Sequence, residues 1–496
     1  MINLQLSEKR KSCFLLSLIL ICALVMRLWK MDFQSLWLDE LHTMIESDPD
    51  STWETMFYYL KCCDQQPPLY FSLAKISFML FGHTAISARL ICVIAGTVSV
   101  WGMYLLGKEI LNRNLGLIAA VLTTINYYNL YYSQEARSYI LAFLFATLSF
   151  LFLIRLLKKM NIKNSILYAV FSLFLLYSHY YSLFVIASQI TIIVLLVFFT
   201  EKGQRKSYIK HFLLSGIIIA AGYWPWLPYL EAVSRINSFW APLVPVTFVS
   251  DYFFEYFGNM KFLKPILLLL LTVYVFNVFH AEKKLNSNPA KSNPLWFSSI
   301  VLSIWIILTY LIPYLRSLLV VPMLYPRYTI VVLPAFLIAI SYGIELINFK
   351  PLKVFIFSTF IILSLTTLLI SRRYYSQPSK TQFREMTRFV VENNKENYPI
   401  IDELVSWQHQ YYFKALKFKP TILEGSKLNV IDSILAGRNQ KYIVKGFWIV
   451  GAHGDQPLTK EQKKVLDPSF VMTMEKKFLD AWAELYISKK PFRMLN

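Results

Sequence analysis

Two adjacent acids, Asp39 and Glu40, stand in "SLWLDELHT" (residues 35–43), a few positions beyond the first long apolar run. A carboxylate can take a proton from an attacking hydroxyl, and partial desolvation raises the basicity this requires. Leu36, Trp37, Leu38 and Leu41 flank the pair and would hold it against an apolar surface rather than in bulk water. The competing reading is that acids at an interface only solvate it or cap a helix. A second cluster, "YYNLYYSQEARSY" (127–139), contains Tyr132, Glu135 and Arg137. Tyrosines are common at headgroup depth, so most of these are anchors. Glu135 with Arg137 is either a structural ion pair or a grip on an anionic headgroup. His179 lies in the tight turn "LYSHYYSLF", Arg327 in "YPRYTIVVLP", and Arg89 at the start of an apolar run. A lone histidine at a wet helix end is more often structural than catalytic. An arginine at a helix end often only snorkels, yet a guanidinium is also the side chain best suited to hold a phosphate. No phosphate-cradling glycine loop, dinucleotide fingerprint or zinc spacing is present. The five cysteines give no disulfide framework, and vicinal Cys62 and Cys63 make a poor metal site.

The elements that must position these residues follow from composition. Of 496 residues, 56% are hydrophobic and 16% charged, and the mean hydropathy is +0.45. A soluble domain cannot bury that much apolar surface, so the expected class is an integral membrane protein, mainly α. The 31 Tyr and 12 Trp fit rings at headgroup level. The net charge of +20 does not indicate nucleic acid, because the basic residues fall in short clusters between apolar runs. About eleven transmembrane helices are expected, near 13–29, 85–106, 115–131, 137–156, 165–178, 182–200, 211–230, 264–280, 295–314, 328–347 and 353–371. The basic N-terminus is followed by no small-residue cleavage site, which indicates a retained first span and a cytoplasmic N-terminus. "PPLYFSLAKISFMLFG" (67–82), short, opened by two prolines and carrying Lys75, reads as an interfacial helix of the first outer loop. Excluding it from the spans places Lys9-Arg10-Lys11, Lys108 with Arg113, Lys158-Lys159, Arg205-Lys206, Lys283-Lys284 and Lys350 on the cytoplasmic side. Residues 30–84, 231–263 and the tail then face outward. The expected domains are a transmembrane one over 1–371 and a small extracytoplasmic α/β one over 372–496. In the latter, "TQFREMTRFVVENN" and "VIDSILAG" read as helices, and "YPII" and "KYIVKGFWIV" as strands.

"SLWLDE", "QPPLYFSLAKISFMLFG", "YYSQEARSY", "SHYYSLF" and "RYTIVVLP", in this order, resemble the bacterial membrane glycosyltransferases related to protein O-mannosyltransferases and lipid A aminoarabinose transferases. That superfamily has the GT-C fold, and the resemblance runs over roughly residues 10–370. It implies transfer of a sugar from a polyprenyl-phosphate donor to an acceptor hydroxyl, on lipid, glycan or protein, at the outer face of the cell (inner) membrane. It also implies an inverting single displacement, with Asp39 as base, Glu40 beside it, and Arg137 or Arg327, with Arg89, at the donor phosphate. Gln66, Tyr70, Tyr132, Glu135 and His179 complete the implied substrate-binding set. One departure stands out. Where relatives often carry His, or an acid followed by Lys, this chain has Gln65 and Gln66 preceded by Asp64. That weakens the carry-over of a phosphate-binding lysine or metal site, and a divalent cation is the one cofactor the resemblance leaves open. Two rival classes are a polytopic transporter or flippase of lipid-linked sugars and a polysaccharide polymerase or ligase using a pyrophosphate-linked donor. Transporters place ionisable groups near the bilayer midplane, whereas here they gather at outer helix ends. The polymerase would use outer arginines too, and the sequence does not separate it.

Overall fold

Away from water, a long apolar run satisfies its backbone polar groups internally only as a helix. The first part of the chain obeys this constraint. The computed structural model describes residues 2–236, 238–282, 292–402, 406–435 and 445–489. Lys283 and Lys284, expected in a cytoplasmic loop, and the beginning of "KYIVKGFWIV" lie outside the described residues, as does the end of "VIDSILAG". Among the described residues nine helices are long and apolar enough to cross a membrane. They are Arg10–Leu28, Ala85–Ile110, Tyr139–Lys158, Ser182–Phe199, Lys202–Ser234, Leu263–His280, Pro294–Leu319, Tyr328–Glu345 and Lys350–Ser371.

These coincide with nine of the eleven expected spans. The other two fold as shorter helices, Arg113–Ile125 with 13 residues and Ile162–Leu176 with 15. At ~1.5 Å per residue they are ~20 and ~22 Å long, against a hydrocarbon core ~30 Å thick. The first is cut by Asn126, whose extended backbone ends one helix while its side chain accepts from Asn129 N at 2.9 Å and starts the next, Tyr127–Ser133. Leu69–Phe81 is a 13-residue helix closed by Gly82 at φ +85°. Its Lys75 is fully buried and donates to the carbonyls of Asp48 and Ser51, clamping the loop ahead of it.

The chain divides into two compact units, Met1–Met31 with Ser47–Arg373, and Asp32–Glu46 with Tyr374–Asn496. The segment carrying the acidic pair thus groups with the C-terminal chain. In the first unit, Arg27 is fully buried near the end of the first helix. It donates to Ser133 Oγ at 3.1 Å, Asn129 Oδ1 at 2.6 Å and the carbonyls of Ala23 and Thr123. Gln134 Nε2 in turn donates to the carbonyls of Arg27 and Trp29. This network fixes the stretch that leads into Glu135 and Arg137.

The second unit holds a five-stranded sheet of β1 (Ile400–Asp402), β2 (Ile422–Glu424), β3 (Gly446–Ala452), β4 (Phe470–Phe478) and β5 (Ala481–Ser488), in the order β2-β1-β3-β5-β4. β1 pairs in parallel with β2 and β3, and β5 runs antiparallel to β3 and β4. Ile401, Phe447, Ile449, Leu466, Trp482 and Tyr486 form its core. The expected "YPII" and "KYIVKGFWIV" strands are β1 and β3, and the expected helices are Phe383–Asn393 and Lys427–Leu435. The β4–β5 hairpin had no counterpart in the sequence reading.

Gly96 lets the helix Ala85–Ile110 approach the Arg27 network. A Cβ there would lie 2.0 Å from Ser133 Oγ and 2.9 Å from Arg27 Nε. Gly96→Ala is therefore expected to cost about 1–3 kcal/mol as overpacking, read as a lower melting temperature. Gly216→Ala, whose Cβ would meet nothing within 4 Å, should leave melting unchanged or raise it slightly. Equal melting of the two variants would show that the close approach at Gly96 is not needed.

Candidate active site

The acidic pair opens the helix Leu38–Glu46, where the positive end of the helix dipole favours carboxylates. Its approach is held from several sides within the second unit. Leu36 N donates to Tyr412 Oη at 2.8 Å, Arg384 N to Ser35 Oγ at 3.0 Å, and Arg384 Nη2 to the carbonyl of Phe33 at 2.6 Å. Gln34 adds bonds to Gln377 and Ser379. Leu36 and Leu41 are fully buried, as their apolar character implies. The two acids differ sharply. Glu40 is 0% exposed and pairs with Lys380 Nζ at 3.0 Å, itself 3% exposed. Asp39 is half-buried. A buried carboxylate held by a buried ammonium is a structural element, so Asp39 is the acid of the pair suited to exchange protons.

The first unit gathers the other candidates. Arg137 is 4% exposed and forms a two-bond ion pair with Asp64, at 2.8 and 3.2 Å. Its guanidinium also lies 5.4 Å from the centre of the Phe71 ring. Asp64 went unassigned in the sequence reading, because it stands 73 positions away and no short-range spacing links the two. Arg327 sits among rings, with Cζ 5.0 Å from Trp240, 5.1 Å from Tyr325, 5.4 Å from Tyr328 and 5.8 Å from Tyr139. His179 shares two of those neighbours, its ring lying 5.1 Å from Tyr328 and 5.7 Å from Tyr139. Tyr132 packs edge-on against Tyr139 at 5.2 Å, and burial pushes its phenol well above the ordinary range.

His179 is buried, and its Nδ1 accepts from Tyr181 N at 3.1 Å. The proton of the neutral ring therefore resides on Nε2, which has no hydrogen-bond partner among the described residues. Burial, with the charges of Arg137 and Arg327, pulls the imidazole from 6.5 down to about 3, against the opposing pull of Asp64. The cluster thus offers guanidinium donors and a neutral N–H that stays protonated at every working pH. Such a set suits an anion with several acceptor oxygens.

The remaining candidates are placed less directly. Arg89 is fully buried and donates to the carbonyl of Met31 at 2.8 Å, and Tyr70 donates to the carbonyl of Ala88 at 3.1 Å. Both bonds are to backbone carbonyls. Glu135 is buried, and its carbonyl accepts from Arg137 N at 2.8 Å. Gln66 is half-buried in the loop before Pro67. No group of three or more His, Cys, Asp or Glu side chains that could hold a metal occurs among the described residues.

Nine long apolar helices with a small C-terminal sheet unit give the chain the GT-C membrane fold. The likeness is carried by ArnT from Cupriavidus metallidurans. Its apo crystal structure matches with TM-score 0.62 at 11% identity, covering 97% of this chain and 98% of that one. The same protein bound to undecaprenyl phosphate matches with TM-score 0.59 at 11% identity, covering 95% and 97%. Arabinofuranosyltransferase AftD from Mycobacteria matches with TM-score 0.50 at 12% identity, over 97% of this chain and 40% of that one. Residues 65–229 match the family model described as dolichyl-phosphate-mannose-protein mannosyltransferase. That interval contains Gln66, Tyr70, Arg89, Tyr132, Glu135, Arg137 and His179. No curated protein matches the sequence.

The depressed imidazole has a consequence for stability. In the fold His179 stays neutral down to about 3, whereas its ordinary value is 6.5. Its contribution is therefore complete above about pH 6.5 and is lost as pH falls toward 3, because the unfolded chain binds the extra proton. Between about pH 7 and pH 5 the melting temperature should fall more in the parent than in His179→Gln, whose amide does not titrate. Parallel slopes would show that the imidazole titrates freely in the fold.

Proposed function

We propose that this protein transfers a sugar from a polyprenyl-phosphate-linked donor to an acceptor hydroxyl at the outer face of the cell membrane, with inversion at the anomeric carbon. The observation that carries the reading is Arg327 and the Nε2–H of neutral His179 around Tyr139 and Tyr328, with the charge of Arg137 acting on the same imidazole. It lies in a fold shared with a protein crystallised with undecaprenyl phosphate. The reading puts the N-terminus in the cytoplasm and the sheet unit outside.

In this proposal the acceptor oxygen attacks the anomeric carbon on the face opposite the phosphate. Its proton passes to the Asp39 carboxylate as the new C–O bond forms. The bond from the anomeric carbon to the phosphate oxygen breaks, and its electron pair leaves with the polyprenyl phosphate. Negative charge grows on that phosphate in the transition state, where fixed guanidinium and N–H donors lower the barrier most. Arg327 and His179 Nε2–H take this role. Asp64 fixes the orientation of Arg137, and the Glu40–Lys380 pair holds the helix that carries Asp39. A single displacement needs no carboxylate nucleophile, and no step is routed through a metal.

Two outcomes test the assignment in purified full-length protein, supplied with polyprenyl-phosphate-linked sugars extracted from the source cells. Asp39→Asn keeps the shape of the side chain but cannot take the proton, so turnover should fall at least about 100-fold with donor binding and melting unchanged. Near-normal turnover would remove Asp39 as the base. At the phosphate, Arg327→Ala should weaken donor binding roughly tenfold or more, and Arg327→Lys less, since lysine keeps the charge and loses the planar fork. Unaltered donor affinity in Arg327→Ala would move the phosphate elsewhere.

A further inference from the structure

A second feature of the membrane unit lies between the helices Ser182–Phe199 and Lys202–Tyr223. They enclose a groove of about 720 Å³ whose walls include Val194, Phe198, Ile209, Leu213 and Ile217. Its volume is within the range of small-molecule sites, and its lining is apolar except at one end. There Arg205 closes it, donating from Nη2 to the carbonyls of Phe198 and Thr200 at 3.0 and 3.2 Å. The Nε of Arg205 is buried and has no partner among the described residues. Lys202, Lys206 and Lys210 are exposed around the same end, with Glu201 the one acid in the turn.

We infer that this groove binds an anionic diacyl phospholipid, with an acyl chain along the apolar walls and the phosphate at Arg205 and the neighbouring lysines. The lining positions 205, 209, 212, 213, 216, 217 and 220 fall on one face of the second helix. From Arg205 to Ala220 that face runs ~22 Å. Half of a ~30 Å hydrocarbon core is ~15 Å, so the groove extends from headgroup level through one leaflet, the depth that phospholipid chains fill. The basic end supplies the charge complement to an anionic headgroup. A lipid phosphate there would meet the half-buried Arg205 guanidinium together with the exposed lysines beside it, the cations suited to a phosphate.

The test is native mass spectrometry of the full chain, titrated separately with phosphatidylglycerol, phosphatidylcholine of the same acyl chains, and polyprenyl phosphate. Phosphatidylglycerol should be retained about tenfold more than phosphatidylcholine. Arg205→Gln should bring the two lipids to similar retention. Gly216→Phe should lower retention of both by filling the groove, and a Cβ at Gly216 meets nothing within 4 Å, so this variant is expected to fold. The inference is overturned by equal retention of the two phospholipids in the parent, or by phosphatidylglycerol binding that neither variant changes. It is equally overturned if polyprenyl phosphate is the lipid that the parent prefers and both variants lose.

Discussion

The candidate base depends on an ion pair it does not itself make. Glu40 and Lys380 are both withdrawn from water and meet at 3.0 Å. Either charge left alone in that setting would be strongly destabilising, since breaking a buried pair costs about 3–5 kcal/mol. The pair therefore obliges the segment Asp32–Glu46 to fold with chain that follows it by hundreds of residues. Tyr412, Arg384 and Gln34 reinforce the same attachment through bonds to backbone. A loop end that would otherwise be free is thereby turned into a positioned helix start. The neighbouring Asp39 gains a fixed place while its own carboxylate stays half-buried.

The membrane unit uses the same device, with a different result. Asp64 grips Arg137 with two bonds, and Arg27 satisfies its donors on Asn129, Ser133 and backbone carbonyls. Arg137 so held has little freedom to relax around a neighbour, so its field acts on His179 as a fixed background. Burial, with the charges of Arg137 and Arg327, keeps the imidazole neutral. The Tyr181 amide then decides which nitrogen carries the proton. A histidine that sequence alone leaves between a structural role and a substrate contact becomes, in this setting, a fixed N–H donor.

Much of the architecture was legible because hydropathy is a local property. Nine of the spans, the short helix after Pro67-Pro68, and the strands at Ile400–Asp402 and Gly446–Ala452 all follow from runs of residue types. The break at Asn126 was missed because a single capping side chain interrupts an otherwise continuous apolar run. The β4–β5 hairpin was missed although both strands carry apolar residues; β4 is mostly exposed, so its residue types do not alternate with burial. In the site, the residue types at Asp39, Arg137, His179 and Arg327 were visible from the sequence. Their partners were not. Lys380 stands 340 positions from Glu40 and Asp64 stands 73 from Arg137, distances over which spacing carries no information. That Glu40 is fully buried on Lys380 while the adjacent Asp39 is half-buried is likewise not legible in the two residue types.

The two arginines of the cluster sit in different surroundings. Arg137 already spends two in-plane N–H bonds on Asp64, so an anion would have to compete with a carboxylate for them. Arg327 is surrounded by the rings of Trp240, Tyr325, Tyr328 and Tyr139. A phosphate near Arg327 would also offset part of the positive field that acts on His179. Burial, the largest of the causes, would remain. Nε2 presents an N–H whether the imidazole is neutral or charged, so charge arriving on a leaving group there meets a donor in either state.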